Sequence, residues 1–285
     1  MSPTWHLSVE CSSIGGSVAL LQNRSSDLPP ELVAQVQLPE ERGSVQTLAP
    51  AISTLLQQCE LRIEALEFFS VTVGPGSFTG LRVGLATIKV LAMATAKPIA
   101  PVSTLHAIAL RFAQNHQLHD RTHRDVDRAM PHSPLCLVTA INAFRKQVFS
   151  ARWTIENGVP VQRSAAEVID AQTWCNDPWA IRAQDNQAPL APPLAAPLAH
   201  LQPLAPPDEV WVSGSALGVV PVPSSTANIV RSADPQLWQP LAEHVGSLGW
   251  QLYRRGQCVT ADALLPNYLR QSAAEEKRQQ RDLTR

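Results

Sequence analysis

The run Val73-Gly74-Pro75-Gly76-Ser77-Phe78-Thr79-Gly80-Leu81-Arg82-Val83-Gly84-Leu85-Ala86-Thr87 decides how this chain is read. Before it, Phe68 to Val73 is rich in aromatic and β-branched residues; after it, Leu81 to Ala96 holds no breaker except Gly84. The pattern predicts strand, glycine turn, long helix. Glycines let a backbone turn sharply and approach another group closely, and the following helix N-terminus offers free N–H groups. One reading of Gly74, Pro75, Gly76, Ser77, Phe78, Thr79 and Gly80 is therefore a phosphate cradle. The Lys-Ser/Thr pair of a P-loop is missing, with Leu81-Arg82 near where it would stand, and the spacing is not GxGxxG. The simpler reading is a tight turn with Ser77 or Thr79 as the helix N-cap.

Working outward, the helix Thr79 to Ala96 is apolar around nearly its whole circumference, with Arg82 and Lys89 its only charges and Gly80/Gly84 a small-residue groove. Such a helix must be covered on all sides, inside the fold or against another protein. Upstream, Val45, Leu48, Ala49, Ile52, Leu55, Leu56 and Cys59 recur at helical spacing opposite a face of Gln46, Ser53, Thr54, Gln57 and Gln58. Pro50 places the start of that helix about one turn before it. This uncharged polar face costs little to desolvate, so the sharper expectation is an exposed helix pair that recruits a partner. His6 to Glu10, Ser17 to Leu21 and Val33 to Leu38 are strand-compatible runs separated by turn clusters, and Pro98 to Val102 is another. A helix follows from Ser103 or Thr104 to about Asn115, so the first part of the chain reads βββαβαβ.

The remainder begins with a polar excursion, His116 to Pro134, then strands at Leu135 to Ile141, Gln147 to Trp153 and Val159 to Arg163. Gln184 to Pro207 holds seven of the 24 prolines and reads as a stiff loop. A strand at Val210 to Ser213, a helix at Pro235 to Arg254 and a polar tail after Arg270 complete the chain. Two β-rich halves, each closed by helices, suggest a duplicated α/β architecture.

The 285 residues carry 23 Lys+Arg against 24 Asp+Glu, a formal charge of -1, and only 16% are charged. That balance argues against a protein that grips nucleic acid alone, and 45% hydrophobic residues argue against a disordered chain. Five scattered cysteines without a CxxC signal neither a disulfide framework nor a zinc cluster, so a cytoplasmic location is expected. The N-terminus lacks the pattern of a secretion signal, and no uninterrupted apolar run approaches the length of a membrane span. His116, His119 and His123 lie together without a recurring carboxylate or cysteine partner, which favours a solvated loop over a metal site. Glu10 and Asn142 end apolar strands, where sheet-borne site residues often sit.

The run from Val73 to Thr87, continuing to Lys89, Leu91, Ala92 and Pro101-Val102-Ser103-Thr104-Leu105, closely resembles the signature of the bacterial TsaB (YeaZ) family. Leu7 to Leu20, Thr139 to Val148 and Pro266-Asn267-Tyr268-Leu269-Arg270 resemble other family segments, so the similarity brackets the chain, with insertions near 114–134 and 184–207. The resemblance implies a two-lobed actin-like (ASKHA, ribonuclease H-like) α/β fold, each lobe a mixed β-sheet with flanking helices. It implies a first lobe from 1–104 plus 233–270 and a second from 105–232, with a polar tail at 271–285.

In function it implies a non-catalytic subunit in synthesis of threonylcarbamoyladenosine on tRNA. Such a subunit dimerises with a TsaD-like catalytic subunit, supports binding of a TsaE-like ATPase, pairs with itself when alone, and meets tRNA only through the complex. No cofactor, metal or membrane is implied. The helix pair is the implied partner interface, through Leu48, Ile52, Leu55, Leu81, Arg82, Leu85, Ile88, Lys89 and Ala92. Several positions depart from the family. Glu10 stands for an aspartate, Gly43 for a histidine, and Asn142 and Phe144 for an aspartate and an arginine; Val212 to Ala216 lacks a double glycine. The cleft residues Glu10, Ser12, Ser13 and Gly214 therefore read as a degenerate nucleotide site. The rival is an ATP-binding kinase or hydrolase of the same fold that uses those residues.

Overall fold

A computed structural model of the chain describes residues 3–25, 28–40, 43–122, 135–179, 207–221 and 229–269. Its first sheet grows from the N-terminal apolar runs. β1 (Thr4–Glu10), β2 (Ser17–Asn23) and β3 (Glu31–Gln37) form an antiparallel meander, and β4 (Leu66–Gly74) and β5 (Ile99–Ser103) join in parallel to give the order β3-β2-β1-β4-β5. β4 is buried at nearly every position, as a parallel strand covered on both faces must be.

One face of this sheet is covered by α1 (Gly43–Gln58) and α2 (Phe78–Thr95). Leu48, Ile52, Leu55, Leu85 and Ile88 pack there with Leu7, Val9, Phe69 and Val71 in a single core. The other face carries α5 (Ala242–Arg254), drawn from the far end of the chain. It sits close because Gly246 and Gly249 meet the short residues Ser8 and Ser70: a Cβ on Gly246 would lie 2.5 Å from the Ser8 hydroxyl. His6 fastens the same contact. Its Nε2 donates to the Gly246 carbonyl at 3.3 Å, its Nδ1 accepts from Asn23 Nδ2 at 3.1 Å, and its ring stacks on Phe68.

The second sheet runs β11-β10-β6-β7-β8, with β9 also paired to β7. Its strands are β6 (Leu135–Asn142), β7 (Gln147–Glu156), β8 (Val159–Gln162), β9 (Glu167–Asp170), β10 (Glu209–Ser213) and β11 (Ile229–Ser232). α3 (Thr104–Thr122) is the element shared by the two lobes. Leu105, Ile108, Ala109 and Phe112 pack with Leu137 and Trp153 of the second sheet, while Ala107 and Leu110 pack with Val245 and Leu248 of α5.

Several expectations change. α1 starts at Gly43, so Pro50 lies inside the helix; it sits on the exposed side, where the carbonyl left without an N–H donor can turn to water. α3 continues past Asn115, placing His116 on a helix rather than in a loop. The helix expected from Pro235 is a 3-10 turn, Pro235–Leu237, followed by α5 from Ala242, with Pro240 at the break. β9, β11 and the short α4 (Ala171–Asn176) had no clear signal. The backbone of His119 is helical; His123, the polar tail and all of 184–207 except Pro207 lie outside the described residues. α2 is the described helix long and apolar enough to cross a membrane by length and composition, against the expectation of no such run; here one of its faces lies in the sheet core.

His6 should make the fold acid-sensitive. Burial holds its imidazole down to about 3, although the Gly246 carbonyl pulls the other way. The stability this neutral histidine contributes is present above the ordinary value near 6.5 and is lost as pH falls from there towards 3. Urea unfolding between pH 7 and 5 should therefore lose up to about 1.4 kcal/mol per pH unit from this site. The His6→Gln variant, which keeps a donor and an acceptor, should show a correspondingly shallower slope.

Candidate functional site

The glycine turn is built around the first hairpin. The Ser77 amide donates to the Ser12 carbonyl at 2.8 Å, and the Gly80 amide donates to Ser77 Oγ at 3.2 Å, so Ser77 is the N-cap. A Cβ on Gly80 would collide with the Cys11 carbonyl, and one on Gly76 with the Ser12 carbonyl. These glycines are therefore required by close backbone approach. Above them, Phe78 stacks on Tyr268 with centroids 5.1 Å apart, the Arg82 guanidinium lies 3.8 Å over the Phe78 ring, and Arg82 Nε donates to Tyr268 Oη at 3.2 Å. The Asn267 amide donates to the Val73 carbonyl at 2.7 Å. The beginning of α2 is thus dressed by the chain's own C-terminal segment, which favours the capped turn over the phosphate cradle. Tyr268 lies in the run Pro266 to Arg270 that resembles the family, and its pairing across the fold with Arg82 has no local signal in the sequence.

Glu10 ends β1 in full burial. Its Oε1 accepts from the Ser12 amide at 2.6 Å, the Ser12 hydroxyl at 2.5 Å and the Ser13 amide at 3.2 Å, and its Oε2 accepts from the Ser13 hydroxyl at 2.5 Å. The donors of this turn, which an incoming anion would need, are taken by an internal carboxylate. Burial raises the Glu10 carboxyl above the ordinary range, and the hydrogen bonds from Ser12 and Ser13 oppose that shift. Gly214 belongs to the other lobe, after β10, with its Cα pressed against the Ala140 carbonyl. Glu10, Ser12 and Ser13 form one cluster, therefore, and Gly214 stands apart on the second sheet. Among the described residues there is no cluster of three or more metal-ligating side chains.

The helix pair requires a correction. Leu48, Ile52, Leu55, Leu81, Leu85, Ile88 and Ala92, expected at a partner interface, are all buried in their own lobe, because the apolar stripe of each helix turns to the sheet. Of the expected interface residues only Arg82 and Lys89 lie towards the outside, Arg82 exposed and Lys89 half-buried. The outer stripe of α2 is Thr79, Arg82, Ala86, Val90 and Met93, with Val90 64% and Met93 67% exposed; beside it, α1 presents Val45 (66% exposed), Ala49, Ser53 and Gln57. The signal was available, since a helix apolar all round that covers one sheet must leave its opposite apolar face bare.

Known structures share this fold. YeaZ from Pseudomonas aeruginosa superposes with a TM-score of 0.66 over 93% of this chain and 100% of that one, at 20% identity. The TsaB protein of Bacillus subtilis, described as a tRNA threonylcarbamoyladenosine biosynthesis protein, is 32% identical over 103 residues, 36% of this chain and 42% of the relative. The chain is similar to TsaB and YeaZ proteins. Its two lobes are the actin-like fold. The family described as "TsaD: tRNA N6-adenosine threonylcarbamoyltransferase" matches residues 34–152. A transferase of that description from Novosphingobium aromaticivorans is 29% identical over 125 residues, 38% of this chain and 36% of the relative. The chain thus spans well under half the length of these two curated relatives. The family model ends at residue 152, whereas the superposition on the Pseudomonas aeruginosa protein covers 93% of this chain.

Glu10 variants separate an internal anion from an open site. Glu10→Ala strands the buried Ser12 amide and should cost about 1–3 kcal/mol in chemical denaturation, whereas Glu10→Gln keeps an acceptor and should cost less. Because the folded carboxyl titrates above its unfolded value, wild-type stability should fall as pH rises just above 4.5. Glu10→Gln should lack that decline; an identical pH profile would show that Glu10 is not a buried, titrating carboxyl.

Proposed function

We propose that this chain is an accessory subunit of tRNA threonylcarbamoyladenosine biosynthesis, located in the cytoplasm and without bond chemistry of its own. It pairs with a TsaD-like threonylcarbamoyltransferase, supports a TsaE-like ATPase on that pair, and forms a homodimer when the transferase is absent. The observation that carries this reading is the bare apolar stripe on α2, Ala86, Val90 and Met93, beside the uncharged α1 face of Val45, Ala49 and Ser53. Such a face is desolvated at little cost, and its aliphatic residues gain on burial. The names carried by its curated relatives supply the pathway. The internal Glu10 carboxylate weighs against the rival ATP-dependent enzyme, because the Ser12 and Ser13 donors already have an acceptor.

The mechanism is a shift in population. A subunit that docks more tightly on the active conformer of the transferase favours that conformer by its differential affinity alone. No atom of this chain then needs to reach the reacting groups.

The correction of the helix faces gives the test. Val90→Glu and Met93→Glu lie on the outer stripe and should abolish co-purification with the transferase while changing stability by no more than about 0.5 kcal/mol. Ile88→Ala lies in the core and should instead cost about 2–5 kcal/mol, with pairing retained below its unfolding temperature. Co-purification that survives both glutamates would remove this interface. Depletion of the chain that leaves threonylcarbamoyladenosine levels in tRNA unchanged would remove the functional reading.

A further inference from the structure

The β6–β7 connection is a tip of unusual make-up. Phe144, Arg145 and Lys146 have φ of 59°, 52° and 60°, three consecutive non-glycine residues in the left-handed region. L-residues visit that region as single residues, so a run of three needs the surroundings to hold it. Here the frame is well supplied. The Ala143 amide donates to the Gln147 carbonyl at 3.0 Å, the Gln147 amide to the Phe144 carbonyl at 2.9 Å, and the Phe144 amide to Asn142 Oδ1 at 2.8 Å. The Ala171 amide donates to the Lys146 carbonyl at 2.8 Å, which ties the tip to the start of α4. The result is a rigid presentation of one aromatic ring, 67% exposed, followed by two exposed cations.

We infer that this tip is a contact for single-stranded nucleotides of tRNA, with Phe144 stacking on a base and Arg145 and Lys146 meeting phosphates. The inference rests on the functional reading above for the identity of the RNA. Its chemistry rests on the tip alone. Protein interfaces deplete lysine at their centres, whereas single-stranded RNA sites combine stacking aromatics with cations. A chain with a net charge of -1 can add to an RNA grip only through such a local feature. The sequence held Phe144 as a departure from its relatives; the exposed ring and the left-handed frame give that departure a use.

The test is the affinity of labelled bulk tRNA for the full chain, alone and paired with the transferase, over a range of salt. Phe144→Ala should weaken binding about five-fold or more, the equivalent of one lost base stack. The double variant Arg145→Ala/Lys146→Ala should flatten the dependence of log K on log salt by about 1.4, from two lost phosphates at roughly 0.7 each. Both should pair with the transferase as the wild type does. Lys146→Gly relaxes the left-handed frame, so its thermal melting reports whether the tip still folds. The inference is overturned if wild-type chain binds no tRNA in either form, or if neither variant changes affinity. It is also overturned if Phe144→Ala breaks subunit pairing, or if polyphosphate competes as well against wild type as against Phe144→Ala. Tip-dependent tRNA binding in a chain whose depletion spares threonylcarbamoyladenosine would leave the tip standing and remove the functional reading. The opposite pair of results would do the reverse.

Discussion

The backbone of Cys11 and Ser12 lies directly against the start of α2, and most of the first lobe follows from that contact. Only glycine fits at positions 76 and 80, because a Cβ there would enter the carbonyl oxygens of Ser12 and Cys11. The Ser77 amide then closes on the Ser12 carbonyl, and Ser77 caps the helix. With its first turn pinned, α2 can only lay Leu81, Leu85, Ile88 and Ala92 on the sheet, and Arg82, Ala86, Val90 and Met93 must face outward. A local steric requirement therefore chooses which apolar face is core and which is left bare.

The opposite side of the sheet obeys the same logic of short residues. Gly246 and Gly249 bring α5 down onto Ser8 and Ser70, whose hydroxyls are 2.6 Å apart, and His6 ties the helix backbone to the strand. α5 in turn packs on α3, and α3 carries the second sheet. The C-terminal segment completes the circuit. Leu264 is buried in the first-lobe core, Tyr268 covers the start of α2, and Leu269 packs against the core of the second lobe. Both the bare face of α1 and α2 and the β6–β7 tip are thus held on a frame that spans the two lobes.

Much of this was legible in the residues. The strands β1, β2, β4, β6 and β10 and the helices α1 and α2 announce themselves by apolar runs and helical spacing, because burial dictates those patterns. What was illegible is what long-range contact decides. Helical periodicity showed that α2 was apolar all round and could not say which side the sheet would take; the close approach of Cys11 to Gly80 settles it. Glu10 read as a degenerate site residue, but only the fold of the turn shows both serine amides and both hydroxyls converging on its carboxylate. The left-handed run Phe144 to Lys146 contains no glycine and carried no turn signal at all. Pro50 and Pro240 misled in opposite directions: the first is tolerated inside a helix, and the second stands where an expected helix breaks.

The central claim is that this chain works through the outer faces of α1 and α2 and leaves its cleft idle. Hydrogen exchange of the full chain, measured with the threonylcarbamoyltransferase and separately with ATP and Mg²⁺, tests it most directly. The account predicts strong added protection over 43–58 and 78–95 with the transferase, and no change around Glu10, Ser12 and Ser13 with nucleotide. Protection of the Glu10 turn by ATP, with none on the two helices from the transferase, would contradict it.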